Sequence, residues 1–229
     1  MQFIFWSALS ALFVVLSMAF IVYHAVERLG EASALFEGRT APSPGQDSEW
    51  SHCYAETAEW ARAQGMVPFD CLDFLGLLDD QPVHIGSWKH PEQSFYLVLY
   101  FFMEKTWVDF TSTFANAMYL TTSNQRDALT LPEPESACVQ VFSNADLDTL
   151  YRHHQSATAY LTRHLQTQPV LRPLSLRQLM VEAMEKQVAS IKAQPMWYLN
   201  GAVWYFGRRI WLNNKSVEHL YPQKMLTSR

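Results

Sequence analysis

The chain has 229 residues, room for one anchored domain or a small pair of units but not for a large multidomain enzyme. Lys and Arg number 17 against 22 Asp and Glu, and the resulting net charge of −5 excludes a strongly basic nucleic-acid binder. Three cysteines exclude a disulfide-dense scaffold, and a composition of 49% hydrophobic and 14% aromatic residues excludes wholesale disorder.

From Phe3 to Val26 the run FIFWSALSALFVVLSMAFIVYHAV contains no Asp, Glu, Lys or Arg. It is long enough for the roughly 20 apolar residues that a bilayer-spanning helix needs. Residues 1–27 are therefore expected to form a single transmembrane anchor, with Trp6 and Tyr23 near its two ends as aromatic belts place them. A cleaved signal peptide is the competing reading, because Ala32-Ser33-Ala34 is a small-x-small pattern. Against it, no basic residue precedes the run, the run is too long, and Glu27, Arg28 and Glu31 would separate it from the cleavage site. Arg28 and Arg39 follow the span, so the positive-inside tendency puts the body on the cytoplasmic face. Cys53, Cys71 and Cys138 form an odd set that a reducing compartment leaves free; in an oxidising one, Cys53 and Cys71 could pair. Asn214-Lys215-Ser216 matches a glycosylation sequon, which matters only for a eukaryotic lumenal chain.

Residues 28–47 read as a juxtamembrane segment and linker, rich in Pro, Gly, Ser and charge, with the soluble domain over 48–229. Ser48 caps a helix that Gly65 stops, and Val67-Pro68-Phe69 then begins irregular structure. Asp70, Asp73, Asp79 and Asp80 lack EF-hand spacing and read as a solvated loop. The unbroken apolar run 94–103 predicts a central strand, and 106–115 alternates at the period of a half-buried strand, with Glu104-Lys105 as the turn between them. Met118 to Thr122 continues an antiparallel meander, and 137–142 is a further strand candidate. Asp146, with Ser143 or Asn144 as cap, opens a helix to about Gln166, and Ser175 caps another. Segment 196–212 reads equally as a hairpin about Asn200-Gly201 or as a helix capped by Asn200. The fold class is α+β, an antiparallel sheet flanked by helices behind one transmembrane helix.

For chemistry, the chain offers little by spacing. Neither HExxH, CxxC nor HxH occurs, nor a phosphate-cradling glycine loop, a dinucleotide fingerprint or Gly-x-Ser-x-Gly, so no cofactor or metal is expected. His153 and His164 can share a helix face, His153 and adjacent His154 cannot, and capped or solvated histidines are the simpler reading. Cys138 is a nucleophile only if a base such as His153 and an acid converge on it, and otherwise a buried thiol. His84 and His90 decorate a strand end or turn. Thr121-Thr122-Ser123-Asn124 could bind a ligand with its hydroxyls but reads more simply as turn satisfaction. The C-terminal segment interleaves Arg208 and Arg209 with Trp204, Tyr205, Phe206 and Trp211, a pattern that suits an anionic membrane surface.

AEWARAQGMVPFD (58–70), SFYLVLYFF, DFTSTFANAMYLTTSN (109–124), LYRHHQSA (150–157) and YLNGAVW (198–204) together resemble a bacterial family of membrane-anchored α+β proteins with no established activity. The resemblance covers most of residues 50–212, with Met66 and Val67 departing from the aromatic that the family tends to carry after the glycine. It implies an N-terminal hydrophobic helix before a small α+β domain, a helix after Asn200, and His153 or His154 as a family-like helix histidine without an assigned role.

The expected function is a non-enzymatic module, tethered at the cytoplasmic face, that binds a protein, an anionic lipid head group or a small ligand on its sheet. The alternative is an anchored hydrolase-like enzyme using Cys138 or one of His153, His154 and His164, which requires such a residue to meet an Asp or Glu in a concave pocket.

Overall fold

The computed structural model describes residues 2–43, 48–75, 81–126 and 128–221, with side chains described except at 2–5, 8, 11, 12 and 208–210. The chain folds as an α+β structure about one seven-stranded sheet whose spatial order follows the sequence: β1 (Phe36–Gly38), β2 (Val67–Leu75), β3 (Pro82–His90), β4 (Phe95–Phe102), β5 (Lys105–Thr113), β6 (Tyr119–Ser123) and β7 (Ala137–Val141). The first six strands pair antiparallel, as expected of a meander, whereas β7 runs parallel to β6. That reversal is possible because the connection over 124–136 is long enough to carry the chain back to the same end of the sheet.

Three strand assignments differ from the sequence reading, each for a local reason. β1 lies inside the segment expected to be a linker and is held by pairing with β2, Glu37 opposite Asp73. β2 includes Asp70 and Asp73, which are therefore strand residues and not parts of a solvated loop; Asp79 and Asp80 lie outside the described residues. A bulge between Pro68 and Asp70 interrupts the period of two, and Ser87 stitches it, its Oγ accepting from Asp70 N at 3.0 Å and donating to Asp70 O at 2.8 Å. The β4–β5 turn is Met103-Glu104, one residue earlier than expected, with both residues at positive φ (47° and 62°). That is the two-residue turn whose twist matches the flanking strands, built here without glycine.

The helices follow their caps. Ser48 accepts from Ser51 N at the start of α2 (Glu49–Ala63), and Gly65, at φ 79°, follows its end. Asp146 is itself the N-cap of α3 (Leu147–Leu165), accepting from Thr149 N at 2.8 Å, in place of Ser143 or Asn144. Ser175 and Gln178 form a reciprocal capping box at the start of α4 (Leu176–Lys192). Segment 196–212 is helical rather than a hairpin: α5 (Trp197–Val203), a π-helical turn (Trp204–Arg208) and α6 (Arg209–Leu212). Asn200 is inside α5 rather than at its cap, its Nδ2 donating to Pro195 O at 2.9 Å. A short α7 (Val217–Leu220) closes the described fold.

The sheet is buried on both faces. On one, Trp50 and Ala61 of α2 and Leu150 of α3 pack on Trp88, Leu97, Leu99 and Phe110; Trp88, Leu97 and Phe110 are fully buried and each contributes about 1.5–3 kcal/mol. The same layer continues to Leu120 and Cys138 beneath Ala157, Leu161 and Val217. On the opposite face, among the described residues, α4 packs through Leu176, Met180, Val181 and Met184 onto Phe36, Leu72, Ile85 and Val98.

The first helix, α1 (Gln2–Leu29), docks on this body by its C-terminal third. Val22, Val26 and Leu29 meet Val188 and Ile191 of α4, Lys192 pairs with Glu27 at 2.8 Å, and Tyr23 stacks on Trp197. Among the described residues, no helix is long and apolar enough to cross a membrane.

Helix α2 approaches the sheet closely at Gly86 in β3, where a Cβ would lie 2.8 Å from the Tyr54 ring and 3.3 Å from Trp50. Gly86→Ala is expected to destabilise the fold by about 1–3 kcal/mol in chemical denaturation, whereas Gly38→Ala, with nothing within 4 Å, is expected to be near neutral.

Candidate functional site

The sequence-derived candidates are dispersed. His154 is fully buried under α3, with Nε2 2.9 Å from Ser112 Oγ and Nδ1 3.0 Å from Thr122 Oγ1. Gln140 extends this network, donating from Nε2 to Thr122 Oγ1 at 2.8 Å and to His153 O at 3.2 Å, while its Oε1 accepts from Val217 N at 3.0 Å. Its hydrogen-bond partners Ser112 and Thr122 are neutral, and burial pushes the His154 ring down to about 3, so it is held uncharged. His153 lies face to face with Phe142, centroids 3.7 Å apart, and its proton affinity is lowered by burial and then by Arg152. His164 hydrogen bonds through Nδ1 to Tyr160 O on an exposed turn. Cys138 is buried among Leu120, Phe114 and Leu161, and no disulfide joins Cys53, Cys71 and Cys138. Among the described residues, Cys138, His153, His154 and His164 do not line the cavities, whereas the hydrolase-like alternative needs one of them beside a carboxylate in a concave pocket. Among the described residues, no group of three His, Cys, Asp or Glu could hold a metal ion.

His84 and Asp73 form a different cluster, in the body of β3 and β2 rather than at a strand end. Arg39 Nη1 donates to both Asp73 oxygens, at 2.9 and 2.8 Å, and His84 Nδ1 lies 2.7 Å from Asp73 Oδ1, its ring stacked parallel to Phe101. Arg39, counted in the sequence as an orienting charge, is thus committed to the fold, where it fastens the chain just after β1 to β2 and β3.

The interface candidates divide. Trp6, Arg28 and Trp211 are exposed, Tyr23 stacks on Trp197, and Trp204 is half-buried with Nε1 donating to Leu129 O at 3.0 Å. The side chains of Arg208 and Arg209 lie outside the described residues.

The site that the sequence reading missed lies on the α4 face of the sheet. A cavity of about 440 Å³ opens over β4, β5 and β6, between Met180 and Met184 of α4 and the 124–136 connection. Its walls are mainly apolar, with Val98 and Tyr100 from β4 and Trp107 from β5, and Tyr100 and Trp107 stack across the strand pair at 9°. Into this wall Asp109 of β5 projects, opposite Ser123 of β6. Burial pushes its carboxyl up to about 6, against the Ser123 and Tyr100 hydroxyls that hydrogen bond to it and favour the ionised form. Burial first, and then the Asp109 charge, push the Tyr100 phenol well above its ordinary range. Asp109 Oδ1 is sealed from solvent without a protein partner.

Two further groups frame the cavity. Glu133, on the connection, accepts from Tyr221 OH at 2.7 Å through Oε1, while its Oε2 is sealed without a partner. At the other end Glu182 accepts from Arg172 at 2.6 Å, Lys186 at 2.8 Å and Tyr119 OH at 2.8 Å. Burial alone would raise Glu182, but these bonds hold its carboxyl down at about 2. Comparisons with known protein families, with curated proteins and with solved structures gave no match, so the resemblance drawn from short motifs adds nothing to the reading of this site.

His154 generates a pH test. Its folded value of about 3 lies below the ordinary 6.5, so its contribution to stability is full above about pH 6.5 and is lost as pH falls towards 3. Relative to His154→Gln, the wild type is expected to lose up to about 1.4 kcal/mol of unfolding free energy per pH unit between about pH 6 and pH 4 in urea denaturation. Parallel profiles would contradict a buried neutral ring.

Proposed function

We propose that this protein is a membrane-tethered binding module that holds a small, largely apolar ligand between its sheet and α4. The observation that carries the binding role is the 440 Å³ cavity, of the size and apolar character of small-molecule sites, with Asp109 as a polar group set in its wall. A carboxyl kept in such a wall disfavours the empty state unless a donor reaches it. Cys138, His153, His154 and His164 do not line the cavity, which favours binding over hydrolysis.

Tethering is supported by the uncharged run from Phe3 to Val26 and by the outward side chains of α1, where Trp6, Phe13 and Phe20 are each more than half exposed. The C-terminal part of α1 is engaged with the body from Met18 and Ala19 onward, and we assign the part before them to the bilayer. Val203, Phe206 and Trp211 are exposed on the helical segment that leans on the foot of α1, which fits an interfacial position beside Tyr23 and Arg28 and contact with anionic head groups. The basic residues after the span favour the cytoplasmic face for the domain.

The neutral probe 2-phenylethanol is expected to bind the wild-type chain, measured by calorimetry in detergent against a detergent blank. Thr121→Trp, which places an indole in the cavity wall, is expected to weaken it by about 10-fold or more. The same variant is expected to float with phospholipid vesicles as the wild type does, whereas Phe13→Asp combined with Phe20→Asp is expected to release the chain from them. Probe binding unaffected by Thr121→Trp would contradict the cavity as the site, and undiminished flotation of the Asp variant would contradict the tether.

A further inference from the structure

Resting on the binding role proposed above, we infer that the cavity selects a ligand carrying a protonated amine on an apolar body, with Asp109 as the group that recognises it and Glu133 as the second anionic wall.

The chemistry of the lining carries this choice. Ionised carboxylates only accept hydrogen bonds, so a ligand group that satisfies them must donate. Asp109 and Glu133 both line the cavity, and each leaves one oxygen sealed from solvent with no protein partner. The protein's own cation at the cavity does not serve them. Lys186 Nζ is committed to Glu182 Oε1 and Tyr119 OH, at 2.8 and 2.9 Å, and Arg172 Nη1 to Glu182 Oε2 at 2.6 Å. The charged residues that line the cavity are Asp109 and Glu133 against Lys186, two acidic and one basic, an excess of one negative charge that a monocation cancels. An anionic head group would add to this excess, and a neutral hydroxyl would donate without compensating charge.

The remainder of the cavity suits the apolar part of such a molecule. Tyr100 and Trp107 offer a stacked aromatic wall beside Asp109, and Met180 and Met184 supply an adaptable one opposite. Met184 also packs in the cluster that receives Val22 and Val26 of α1, so the cavity adjoins the foot of the helix assigned to the membrane. An amphiphilic amine partitioned at the bilayer surface would reach it over a short path. The Asp109 hydroxyl partners, Tyr100 and Ser123, hold the carboxyl in place before a ligand arrives.

Three probes on one skeleton separate the possibilities: 2-phenylethylamine, 2-phenylethanol and phenylacetate, titrated calorimetrically into the full chain in detergent at pH 7.5. The amine is expected to bind about 10-fold or more tightly than the alcohol, and phenylacetate more weakly than either. Asp109→Asn, which keeps size and shape, is expected to bring the amine to within about 3-fold of the alcohol. Glu133→Gln is expected to weaken the amine by a smaller factor and provides a second variant should Asp109→Asn fail to fold. Alcohol binding as tight as amine binding, or amine binding indifferent to both substitutions, would overturn the amine assignment while leaving the cavity as a binding site. Failure of all three probes to bind the wild type would overturn both readings.

Discussion

The unequal helical cover of the two faces of the sheet governs the rest of this structure. Seven strands at about 4.8 Å spacing make a surface about 29 Å wide, whereas one helix with its side chains is only about 10–12 Å across. One face receives α2 and α3, with α7 at its end, and is sealed by large side chains such as Trp88 and Phe110. The other, among the described residues, receives α4, seated over β1 to β4, together with the 124–136 connection beyond β6. The space between them is the cavity. Its position over β4 to β6 follows from where α4 and the connection stop, and Asp109 lies in it because β5 is central to the uncovered strip.

The same economy explains the two buried polar systems and their opposite characters. Under α3, where cover is complete, Ser112, Thr122, His154 and Gln140 satisfy one another and the backbone, a closed network of the kind that fixes a packing arrangement. Under α4, where cover is incomplete, Asp109 and Glu133 each retain a sealed oxygen that the protein leaves unmatched. Trp50 Nε1, Trp88 Nε1 and Thr158 Oγ1 on the covered face are likewise unpartnered, so it is the cavity beside Asp109 and Glu133, together with their unmatched oxygens, that marks a site. Asp73, tied to Arg39 and His84, belongs to the first kind despite containing a histidine, an acid and a base within 3 Å of one another.

What the sequence made legible was what local chemistry determines. Ser48, Asp146 and Ser175 announced helix starts because a cap acts within one turn, and the apolar run of β4 announced a doubly covered strand because no neighbour was needed to interpret it. β1 is only three residues long and is a strand solely through its pairing with β2; β2 is broken in period by its bulge and carries two aspartates. Asp109 read as the polar side of an alternating strand, which is true of its position and silent about what covers it. Its meeting with Tyr100 and Ser123, and its place in one cavity with Glu133, depend on the register of three strands and the path of a loop, none of which is local. His154, conversely, drew notice as a candidate for chemistry, and only the strands facing α3 reveal that its two nitrogens are already occupied. The aromatic segment after Asn200 carried hairpin and helix signals together, and the contact of α5 with α1, where Gly201 lies against Val22, accompanies the helical outcome.

The central claim is that Asp109 is an enclosed carboxyl in a protein-built cavity rather than a polar residue on a solvated sheet face. Carbon-13 detection of its side-chain carboxyl through a pH titration, with the resonance assigned by its loss in Asp109→Asn, addresses this directly. The account predicts a midpoint of about 6. A midpoint near the ordinary aspartate value of about 3.9 would contradict it, and with it the cavity as a site.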